Sequence, residues 1–245
     1  MTAPSAPITS DSPSRCNPGL ALVVGSSGAI GSSLVNVLNQ RDNYSHVISL
    51  SRSSDYYLDL FSEETIIKSA ASIAELGQPI KLVIVASGIL HSDTIYPEKS
   101  WRKIEAQPLE TLFRVNAIGP MLLMKHFLPL LPKGERAVFA CLSARVGSIE
   151  DNELGGWYGY RASKAALNQF IKTASIELSR RNPEAICVAL HPGTVTSNLS
   201  EPFSKGGLSV TSPETCAENL STVIDQLTVD DTGGFFDYRK RRIVW

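Results

Sequence analysis

The chain has 245 residues, 43% of them hydrophobic, and a formal net charge of −1 at pH 7. This composition supports a packed core and excludes a disordered chain, and the length suits one large α/β domain. The near-zero net charge provides no general attraction to nucleic acid or to an anionic membrane, and no run reaches the roughly 18 to 20 apolar residues of a membrane span.

The N-terminal segment and the cysteines bear on where the protein is found. Residues 1–18 are rich in Ser, Pro and Thr and have no apolar centre, so they predict a disordered tail and not a secretory signal. The four cysteines lie far apart and form no CxxC pair, which suits a reducing compartment and provides no metal-site spacing. We therefore expect a cytoplasmic protein. An organelle-targeting segment is the alternative, because acidic residues are scarce in the tail.

Beyond the tail, short β-rich runs alternate with longer helical patterns. This alternation predicts an α/β fold in which a doubly wound, mostly parallel sheet carries helices on both faces, as a single domain over residues 19–245. Residues 194–212 are rich in Ser, Thr and Gly and predict a mobile segment. Strands are expected at 20–24, 46–50, 56–60, 80–86, 137–143, 185–193 and 234–238, and helices at 29–40, from 62, from 108 through 123, around 160 to about 180, and at 213–227.

A glycine-rich loop follows the first predicted strand. Gly25, Gly28 and Gly31 stand at the junction with the first predicted helix. Glycines at these places permit a tight turn, a close approach of backbone to a pyrophosphate and close packing of helix on strand. The helix N-terminus supplies free N–H groups and a partial positive charge for phosphate. The loop therefore predicts nucleotide binding, with ordinary turn chemistry as the alternative.

The end of the second predicted strand bears on which dinucleotide is bound. A carboxylate at this place would hold the ribose hydroxyls of NAD. The sequence has Ser51 and Arg52 there instead, and Arg52 suits bidentate pairing with a 2′-phosphate, assisted by the hydroxyls of Ser51 and Ser53. An exposed surface arginine is the alternative. Asp59, at the end of the third predicted strand, is placed either to meet an adenine amino group or to cap a turn.

A tyrosine and a lysine share one face of the helix around residue 160. Tyr160 and Lys164 are i and i+4, whereas Tyr158 has Ala162 at that offset. A cation close to a phenol favours the phenolate, so the pair predicts a proton donor tuned toward neutral pH. Two ordinary helical side chains are the alternative at this point.

A set of residues in a fixed order resembles the short-chain dehydrogenase/reductase family over residues 20–245. The stretches "LSARVGSI", "GGWYGYRASKAALN" and "HPGTV" are most similar to its C-factor-like, carbonyl-reductase-like branch. The resemblance implies a single-domain Rossmann fold and transfer of hydride between NADP(H) and a carbonyl or alcohol substrate. It is carried by the glycine loop together with Asn116, Ser143, Tyr160, Lys164 and Pro192-Gly193.

The resemblance implies a role for each catalytic candidate. Tyr160 would act as general acid/base, giving a proton to the carbonyl oxygen. Lys164 would lower the pKa of Tyr160 and bind the nicotinamide ribose. Ser143 would orient the carbonyl oxygen and stabilise developing charge, and Asn116 would help to hold a water connected to Lys164. Taken singly, Ser143 capping a turn and Asn116 satisfying backbone groups of its own helix are the structural alternatives.

The resemblance also implies a cofactor site and a loop that closes over substrate at 194–212. Thr194 would bind the nicotinamide carboxamide. NADP(H) is the expected cofactor, NAD(H) is the alternative, and no metal is expected. The expected cofactor-binding set is Gly25, Ser27, Gly28, Ile30, Gly31, Ser51, Arg52, Asp59, Leu60, Ala86, Gly88, Tyr160, Lys164, Pro192, Gly193 and Thr194.

Three features of the sequence depart from the family's usual pattern. The glycines are spaced GxxGxxG, a spacing commoner in longer members that modify sugar nucleotides. The Asn-Ala-Gly expected after the fourth strand is replaced by Ala86-Ser87-Gly88, which removes a sheet-bracing asparagine. Ser143 and Tyr160 are farther apart than usual, and the added residues around "EDNELGG" predict a loop at the rim of the pocket.

Expected partners are a small-molecule carbonyl or alcohol and a second copy of the chain. The resemblance suggests a homodimer or homotetramer, and the apolar "MLLMKHFLPLL" is either part of that interface or intramolecular core. The basic cluster "RKRRI" and the four histidines predict a solvated turn and packing roles, so no nucleic-acid, membrane or metal partner is expected. A catalytically weak dinucleotide-binding signalling or scaffold protein, and a sugar-nucleotide epimerase-like enzyme, are the alternative functions.

Overall fold

The computed structural model describes residues 18–196 and 210–245. Their centre is a sheet of seven parallel strands in the order β3-β2-β1-β4-β5-β6-β9, and a separate short pair is formed by β7 and β8. The strands are β1 Gly19–Val24, β2 Tyr44–Ser51, β3 Tyr56–Tyr57, β4 Ile80–Val85, β5 Ala137–Leu142, β6 Ala185–His191, β7 Thr194–Val195, β8 Val210–Thr211 and β9 Phe235–Asp237.

Six α-helices connect the strands within the described residues. Between α3 and α4 the chain continues as one turn of π-helix, Arg114–Ile118. The helices are α1 Ala29–Asn39, α2 Glu63–Ala74, α3 Ala106–Phe113, α4 Gly119–Phe127, α5 Tyr158–Arg181 and α6 Pro213–Gln226.

The side chains of the central strands alternate between two cores, one on each face of the sheet. In β1, Leu22 and Val24 pack in the core under α2, α4 and α5, whereas Ala21 and Val23 pack in the core under α1 and α6. All six residues of β1 are buried. The predicted doubly wound sheet with helices on both faces is therefore confirmed, and its central strands are apolar throughout because both faces are covered.

The sheet changes its winding direction between β1 and β4. From β1 the chain builds outward through β2 and β3, then returns to add β4, β5, β6 and β9 on the other side. In open α/β sheets this place leaves a crevice outside the carboxyl ends of the strands, where ligands bind. Most of the candidate site residues lie in segments that begin at that edge. These segments follow β1, β2, β4, β5 and β6.

Several predicted boundaries change in the structure. The third strand covers only 56–57 and not 56–60, and the long helix from 108 through 123 contains a π-helical turn. Within the predicted mobile segment 194–212, both ends form paired strands, and residues 197–209 lie outside the described residues. The predicted tail of residues 1–18 also lies outside them, except for Pro18.

The apolar stretch of α4 is in large part intramolecular core. Leu123, Met124 and Phe127 have no exposed surface and pack in the core under the sheet. The sequence left two roles open for this stretch, an interface between copies of the chain or intramolecular core. These three residues belong to the core. Within residues 18–196 and 210–245, no helix combines the length and the apolar composition needed to cross a membrane.

Candidate functional site

The glycine loop forms one wall of the crevice at the carboxyl edge of the sheet. Gly25 has a φ of +81°, and a Cβ there would lie 2.8 Å from the backbone nitrogen of Ser87. A Cβ on Gly31 would lie 2.1 Å from the carbonyl oxygen of Gly25, so α1 packs on the loop at a distance that only glycine allows. Ser27 and Gly28 line the crevice, whereas Gly31 serves the packing behind it.

The N-terminus of α1 opens onto this crevice and suits a phosphate. Its first turn contains no acidic residue, and its N-cap, Gly28, adds no side-chain hydrogen bond. The first N–H groups of a helix have no partner within the helix, so they are available to an anion. A cavity of about 360 Å³ lies in front of them. The shape and donors of this crevice therefore fit a dinucleotide.

Ser51 and Arg52 lie at the edge of the same cavity, as predicted. The Ser51 hydroxyl accepts a hydrogen bond from the Ser53 backbone N–H over 3.2 Å, which shapes the turn after β2. Arg52 is exposed, and among the described residues it forms no ion pair. Its guanidinium is therefore available to a ligand at this place. Ser53 does not line the cavity.

Of the two roles that the sequence left open for Asp59, the structure shows the turn role, and the contact with adenine stays a prediction. Its Oδ1 accepts a hydrogen bond from the Phe61 backbone N–H over 3.0 Å, which caps the turn before α2. Its side chain also lines the cavity, next to Leu60. Ala86 and Gly88, after β4, form the opposite wall. A Cβ on Gly88 would lie 3.5 Å from the Lys164 Nζ, so this glycine borders the catalytic candidates.

Tyr160 and Lys164 are both buried near the start of α5. The Lys164 Nζ lies 5.9 Å from the centroid of the Tyr160 ring and donates a hydrogen bond to the Leu142 carbonyl over 2.9 Å. Burial raises the pKa of Tyr160 to about 12 and lowers the pKa of Lys164 to about 8. The pKa of Tyr160 is therefore raised and not lowered as expected, because loss of water disfavours the phenolate.

Asn116 lies in the π-helical turn and joins two parts of the site. Its Oδ1 accepts from the Ile89 backbone N–H over 2.9 Å, and its Nδ2 donates to the Ile89 carbonyl over 2.8 Å and to the Ser163 hydroxyl over 3.1 Å. The alternative in which Asn116 satisfies its own helix is therefore wrong. π-Helical turns are often found at functional sites, where they turn a side chain out of the regular helical ladder.

Ser143 follows β5 and is held by a residue that the sequence reasoning missed. Its hydroxyl donates to the Asn168 Oδ1 over 2.6 Å, and the Asn168 Nδ2 donates to the Gly147 carbonyl over 3.3 Å. The alternative of Ser143 as a turn cap is not what the structure shows. Tyr160, Lys164 and Asn168 continue one i, i+4, i+8 series along α5, so the helical spacing alone contained the signal for Asn168.

A second cavity, of about 640 Å³, opens beside these residues. It contacts Ser143 and Tyr160, and its size lies within the usual range for small-molecule sites. Its walls are mostly apolar, with two arginines and one aspartate. The predicted residues Ile30, Pro192, Gly193 and Thr194 also line it.

Comparisons with known proteins agree with this geometry. Residues 55–206, more than half of the chain, match the family model described as short chain dehydrogenase. The chain belongs to the short-chain dehydrogenase family. The family consists of oxidoreductases that use nicotinamide cofactors. The matched region contains all four catalytic candidates, and the glycine loop lies before it.

The matches to two curated relatives span about three quarters of the length of each relative. The 1-hydroxy-2-glutathionyl-2-methyl-3-butene dehydrogenase of Rhodococcus sp. is 30% identical over 178 residues, which are 73% of this chain and 74% of that protein. The C-signal of Myxococcus xanthus is 35% identical over 134 residues, which are 54% of this chain and 76% of that protein.

Solved short-chain dehydrogenases share the whole fold. The carbonyl reductase Sniffer of D. melanogaster is 25% identical, with a TM-score of 0.80 over 94% of this chain and 100% of that one. The NADPH-bound carbonyl reductase from chicken fatty liver is 23% identical, with a TM-score of 0.81 over 93% of this chain and 94% of that one. Both likenesses confirm the Rossmann-type fold, and the matches to the family model, the C-signal and Sniffer support the carbonyl-reductase-like branch.

Two of the histidines have defined surroundings in the structure. His191 lines the larger cavity, its Nδ1 has no hydrogen bond among the described residues, and burial lowers its pKa to about 4. His126 contacts Glu63 over 2.8 Å, away from the site. In residues 18–196 and 210–245, no cluster of three or more His, Cys, Asp or Glu side chains could hold a metal ion.

The sequence reasoning also missed Glu98, a buried residue outside the helices whose carboxylate contacts the start of α5. Both of its carboxylate oxygens accept from the Gly159 backbone N–H, over 3.3 and 3.2 Å, and its carbonyl accepts from the Trp157 N–H over 2.6 Å. Glu98 therefore fixes the chain on both sides of residue 158. No sequence signal identified it, because its partners lie about sixty residues away in a different segment.

Proposed function

We propose that this protein is an NADP(H)-dependent short-chain dehydrogenase that interconverts a carbonyl compound and the corresponding alcohol. The observation that carries the proposal is the common placement of four side chains. Asn116, Ser143, Tyr160 and Lys164 are all buried. Ser143 and Tyr160 line the larger cavity, and a Cβ on Gly88, which lines the glycine crevice, would lie 3.5 Å from both the Asn116 Oδ1 and the Lys164 Nζ. Each alone has a structural explanation, but the four together at the switch point of a doubly wound sheet form a catalytic arrangement.

The proposed chemistry depends on the proton of Tyr160. A bound nicotinamide supplies the hydride to the carbonyl carbon. With a pKa of about 12, the phenol of Tyr160 stays protonated at neutral pH and can donate to the carbonyl oxygen as negative charge develops there. Burial of the phenol therefore favours the reductive direction at neutral pH. The oxidative direction would require the phenolate and should be faster at high pH.

Ser143 and Lys164 assist through hydrogen bonds and charge. The Ser143 hydroxyl borders the same cavity as Tyr160 and donates its one proton to Asn168 in this structure. Rotation about its Cβ–Oγ bond would direct that proton to a carbonyl oxygen beside the phenol. An ammonium group has three donors, and the Leu142 carbonyl takes one of those of Lys164. The remaining donors are available for the nicotinamide ribose. The relay through a water held by Asn116 stays a prediction.

NADP(H) is the proposed cofactor because of the residues after β2. NAD-binding Rossmann folds hold the ribose hydroxyls with a carboxylate at this place. Here Ser51 and Arg52 line the cavity, and Arg52 has no carboxylate partner among the described residues. A free guanidinium at this position suits the 2′-phosphate that distinguishes NADPH from NADH.

Names of relatives support a carbonyl or alcohol substrate. Sniffer, at 25% identity, is a carbonyl reductase, and the Rhodococcus relative is a dehydrogenase of a hydroxylated glutathionyl compound. These two substrate types are the oxidised and reduced forms of one reaction class. The proposal for this chain is limited to that class.

The test of the proposal is turnover of a panel of aldehydes, ketones and quinones with NADPH. Tyr160→Phe removes the proton donor and should lower kcat on the best substrate by roughly 10²- to 10⁴-fold. Tyr158→Phe is the matched control, because it removes a hydroxyl from the same turn of α5 without touching the cavity, and it should change kcat by less than about 2-fold. Near-normal turnover by Tyr160→Phe would remove the tyrosine from its proposed role.

The cofactor proposal has a separate test. Arg52→Ala should raise the Kd of NADPH by roughly 10- to 100-fold and leave the Kd of NADH unchanged, as expected for loss of a charge-assisted hydrogen bond. Arg102→Ala, at an exposed position outside both cavities, is the control. Equal effects on the two cofactors would refute phosphate recognition by Arg52.

A second candidate function is a dinucleotide-binding signalling protein with little turnover. The observation in its favour is the relative named C-signal, which is 35% identical over 134 residues. Tight NADPH binding without turnover of any carbonyl in the panel would favour this function. Measurable turnover that is lost in Tyr160→Phe would exclude it as the main one.

A further inference from the structure

The loop that separates Ser143 from the catalytic helix accepts several hydrogen bonds from one arginine. Arg161, the residue after Tyr160, donates to three backbone carbonyls of that loop. Its Nε donates to Gly156 over 3.1 Å, and its two terminal nitrogens donate to Val146 over 3.2 Å and to Gly155 over 3.3 Å. The guanidinium thus ties both ends of residues 146–156 to α5.

Two of the three carbonyls that Arg161 binds, those of Gly155 and Gly156, belong to an unusual run of backbone. Gly155, Gly156 and Trp157 have φ values of 62°, 66° and 53°, so three successive residues are left-handed. A left-handed conformation is strained for a tryptophan and persists only where the surroundings impose it. Arg161 on one side and the Glu98 carbonyl, which accepts from the Trp157 N–H, on the other supply such contacts.

The position of Arg161 in the helix argues that this role is specific. A cation in the first turn of a helix is unfavourable, because the N-terminus already carries a partial positive charge. Among the described residues Arg161 forms no ion pair that would offset this cost. The guanidinium of Arg161 donates to carbonyl oxygens of the loop, so its hydrogen bonds stabilise the loop conformation.

The loop is a wall of the larger cavity. Val146, Leu154, Gly155 and Trp157 line it, together with Arg161 itself. The Leu154 side chain is 92% exposed, so its apolar surface is available to a ligand in the cavity. A second attachment lies nearer the beginning of the loop.

That second attachment is the carbonyl of Trp245. It accepts from the Ser148 hydroxyl over 3.2 Å and from the Glu150 backbone N–H over 3.1 Å. These bonds hold the beginning of the loop only. Residues 152–156, which contribute Leu154 to the cavity, depend on Arg161.

We propose that Arg161 is a positioning residue that fixes this wall and thereby sets the affinity for substrates large enough to reach it. The proposal rests on the proposed function for the identity of the reaction. Arg161 acts through the loop and not on the proton transfer. Substrates that fill the cavity should therefore depend on Arg161 in KM, and small substrates should not depend on it.

The kinetic test compares a small aldehyde with a bulky aromatic ketone, each with NADPH. In Arg161→Met, which keeps the aliphatic stem and loses all three donors, KM for the bulky ketone should rise about 10-fold or more. The kcat for both substrates and KM for the small aldehyde should stay within about 2-fold. Arg161→Lys should recover part of the affinity, and Arg180→Met, at an exposed position on the last turn of the same helix, should behave as the wild type. An equal fall of kcat for both substrates would overturn the proposal.

A second readout does not depend on the reaction. Glu150 and Glu153 are exposed in the loop, so a glutamate-specific protease reports how firmly the loop is held. Cleavage at these sites should be at least 10-fold faster in Arg161→Met than in the wild type or Arg180→Met, at equal thermal stability. Unchanged cleavage would overturn the clamp whatever the kinetics. Faster cleavage in a protein that turns over no carbonyl would keep the clamp and refute the proposed function.

Discussion

The hydroxyl of Ser143 donates to the Oδ1 of Asn168 across 2.6 Å in the buried part of the site. A hydroxyl has one proton to donate, so this bond determines how Ser143 presents its oxygen. The bond in turn depends on the amide orientation of Asn168, which is fixed because its Nδ2 donates to the Gly147 carbonyl over 3.3 Å. Asn168 therefore controls a catalytic candidate without lining either cavity.

We expect Asn168→Leu to lower kcat by about 3- to 10-fold, which corresponds to loss of a hydrogen bond worth about 1 kcal/mol. The effect should operate through Ser143. In a double-mutant cycle, Ser143→Ala combined with Asn168→Leu should therefore be no slower than Ser143→Ala alone. Steady-state kinetics of the four proteins with one substrate test this. Additive losses would show that Asn168 acts independently of Ser143.

Glu98 stabilises the start of the catalytic helix, and its removal should be costly. Its carboxylate is 7% exposed and accepts from the Gly159 N–H, close to the positive end of α5. We expect Glu98→Ala to lower the free energy of unfolding by about 2 kcal/mol, and Glu98→Gln, which keeps an acceptor, to lower it by about half as much. Urea unfolding measures both.

The control for this prediction is Glu105→Ala. Glu105 is also a glutamate at the N-terminus of a helix, but it is exposed and its side chain makes no capping bond. We expect this substitution to change the free energy of unfolding by less than about 0.5 kcal/mol. If Glu98→Ala and Glu105→Ala were equally mild, the buried carboxylate would not hold α5.

Two glycines of the same loop should respond differently to alanine. A Cβ on Gly31 would meet backbone atoms of Gly25 at 2.1 and 2.8 Å, which cannot be relieved by a side-chain movement. We expect Gly31→Ala to lower the free energy of unfolding by about 2 kcal/mol or more. A Cβ on Gly28 would meet its nearest atom at 3.4 Å, so Gly28→Ala should unfold like the wild type.

Gly28 and Gly31 also allow the effect of helix packing to be measured separately from the effect on cofactor binding. Gly28 lines the crevice, so we expect Gly28→Ala to weaken NADPH binding while the fold is retained. Thermal unfolding without cofactor and NADPH titration, measured on both variants, give the comparison. A stable Gly31→Ala protein would contradict the packing role of that glycine.

Much of the fold was predictable because it depends on local patterns. The apolar runs at 20–24 and 185–190 have no polar face, and strands of this kind are covered on both sides. The early end of the third strand, at Tyr57 and not at residue 60, was not predictable. Two residues pair with β2 before the chain turns, and the turn depends on the Asp59 Oδ1 accepting from Phe61 N–H. The π-helical turn around Asn116 is held by contacts with Ile89, which no local pattern contains.

The candidate site divides in the same way. Tyr160, Lys164 and Asn168 follow from the helical period alone, although only the first two were identified. Arg161 and Glu98 act through backbone groups of distant segments, and side-chain chemistry in the sequence does not identify such partners. The direction of the shift in the Tyr160 pKa could not be predicted from the sequence either. The helical spacing indicates a nearby ammonium but does not indicate that the phenol loses its contact with water.

The buried ammonium of Lys164 should make stability depend on pH. Burial lowers its pKa from 10.5 to about 8, so between those values the unfolded chain binds more protons than the folded one. The free energy of unfolding therefore rises with pH in that window, and the ammonium destabilises the fold most below pH 8. Lys164→Met removes this contribution, at the cost of the bond to the Leu142 carbonyl.

We expect the stability of Lys164→Met relative to the wild type to fall by about 2 kcal/mol between pH 7 and pH 10. The difference between the two proteins is the quantity to measure, because the buried thiols of Cys187 and Cys216, whose pKa values are raised to about 12, affect both proteins alike above pH 9. Urea unfolding at the two pH values provides it. A difference that stays constant with pH would mean that Lys164 keeps its ordinary pKa in the fold, and that its charge is not held in the low-dielectric site that the proposed chemistry requires.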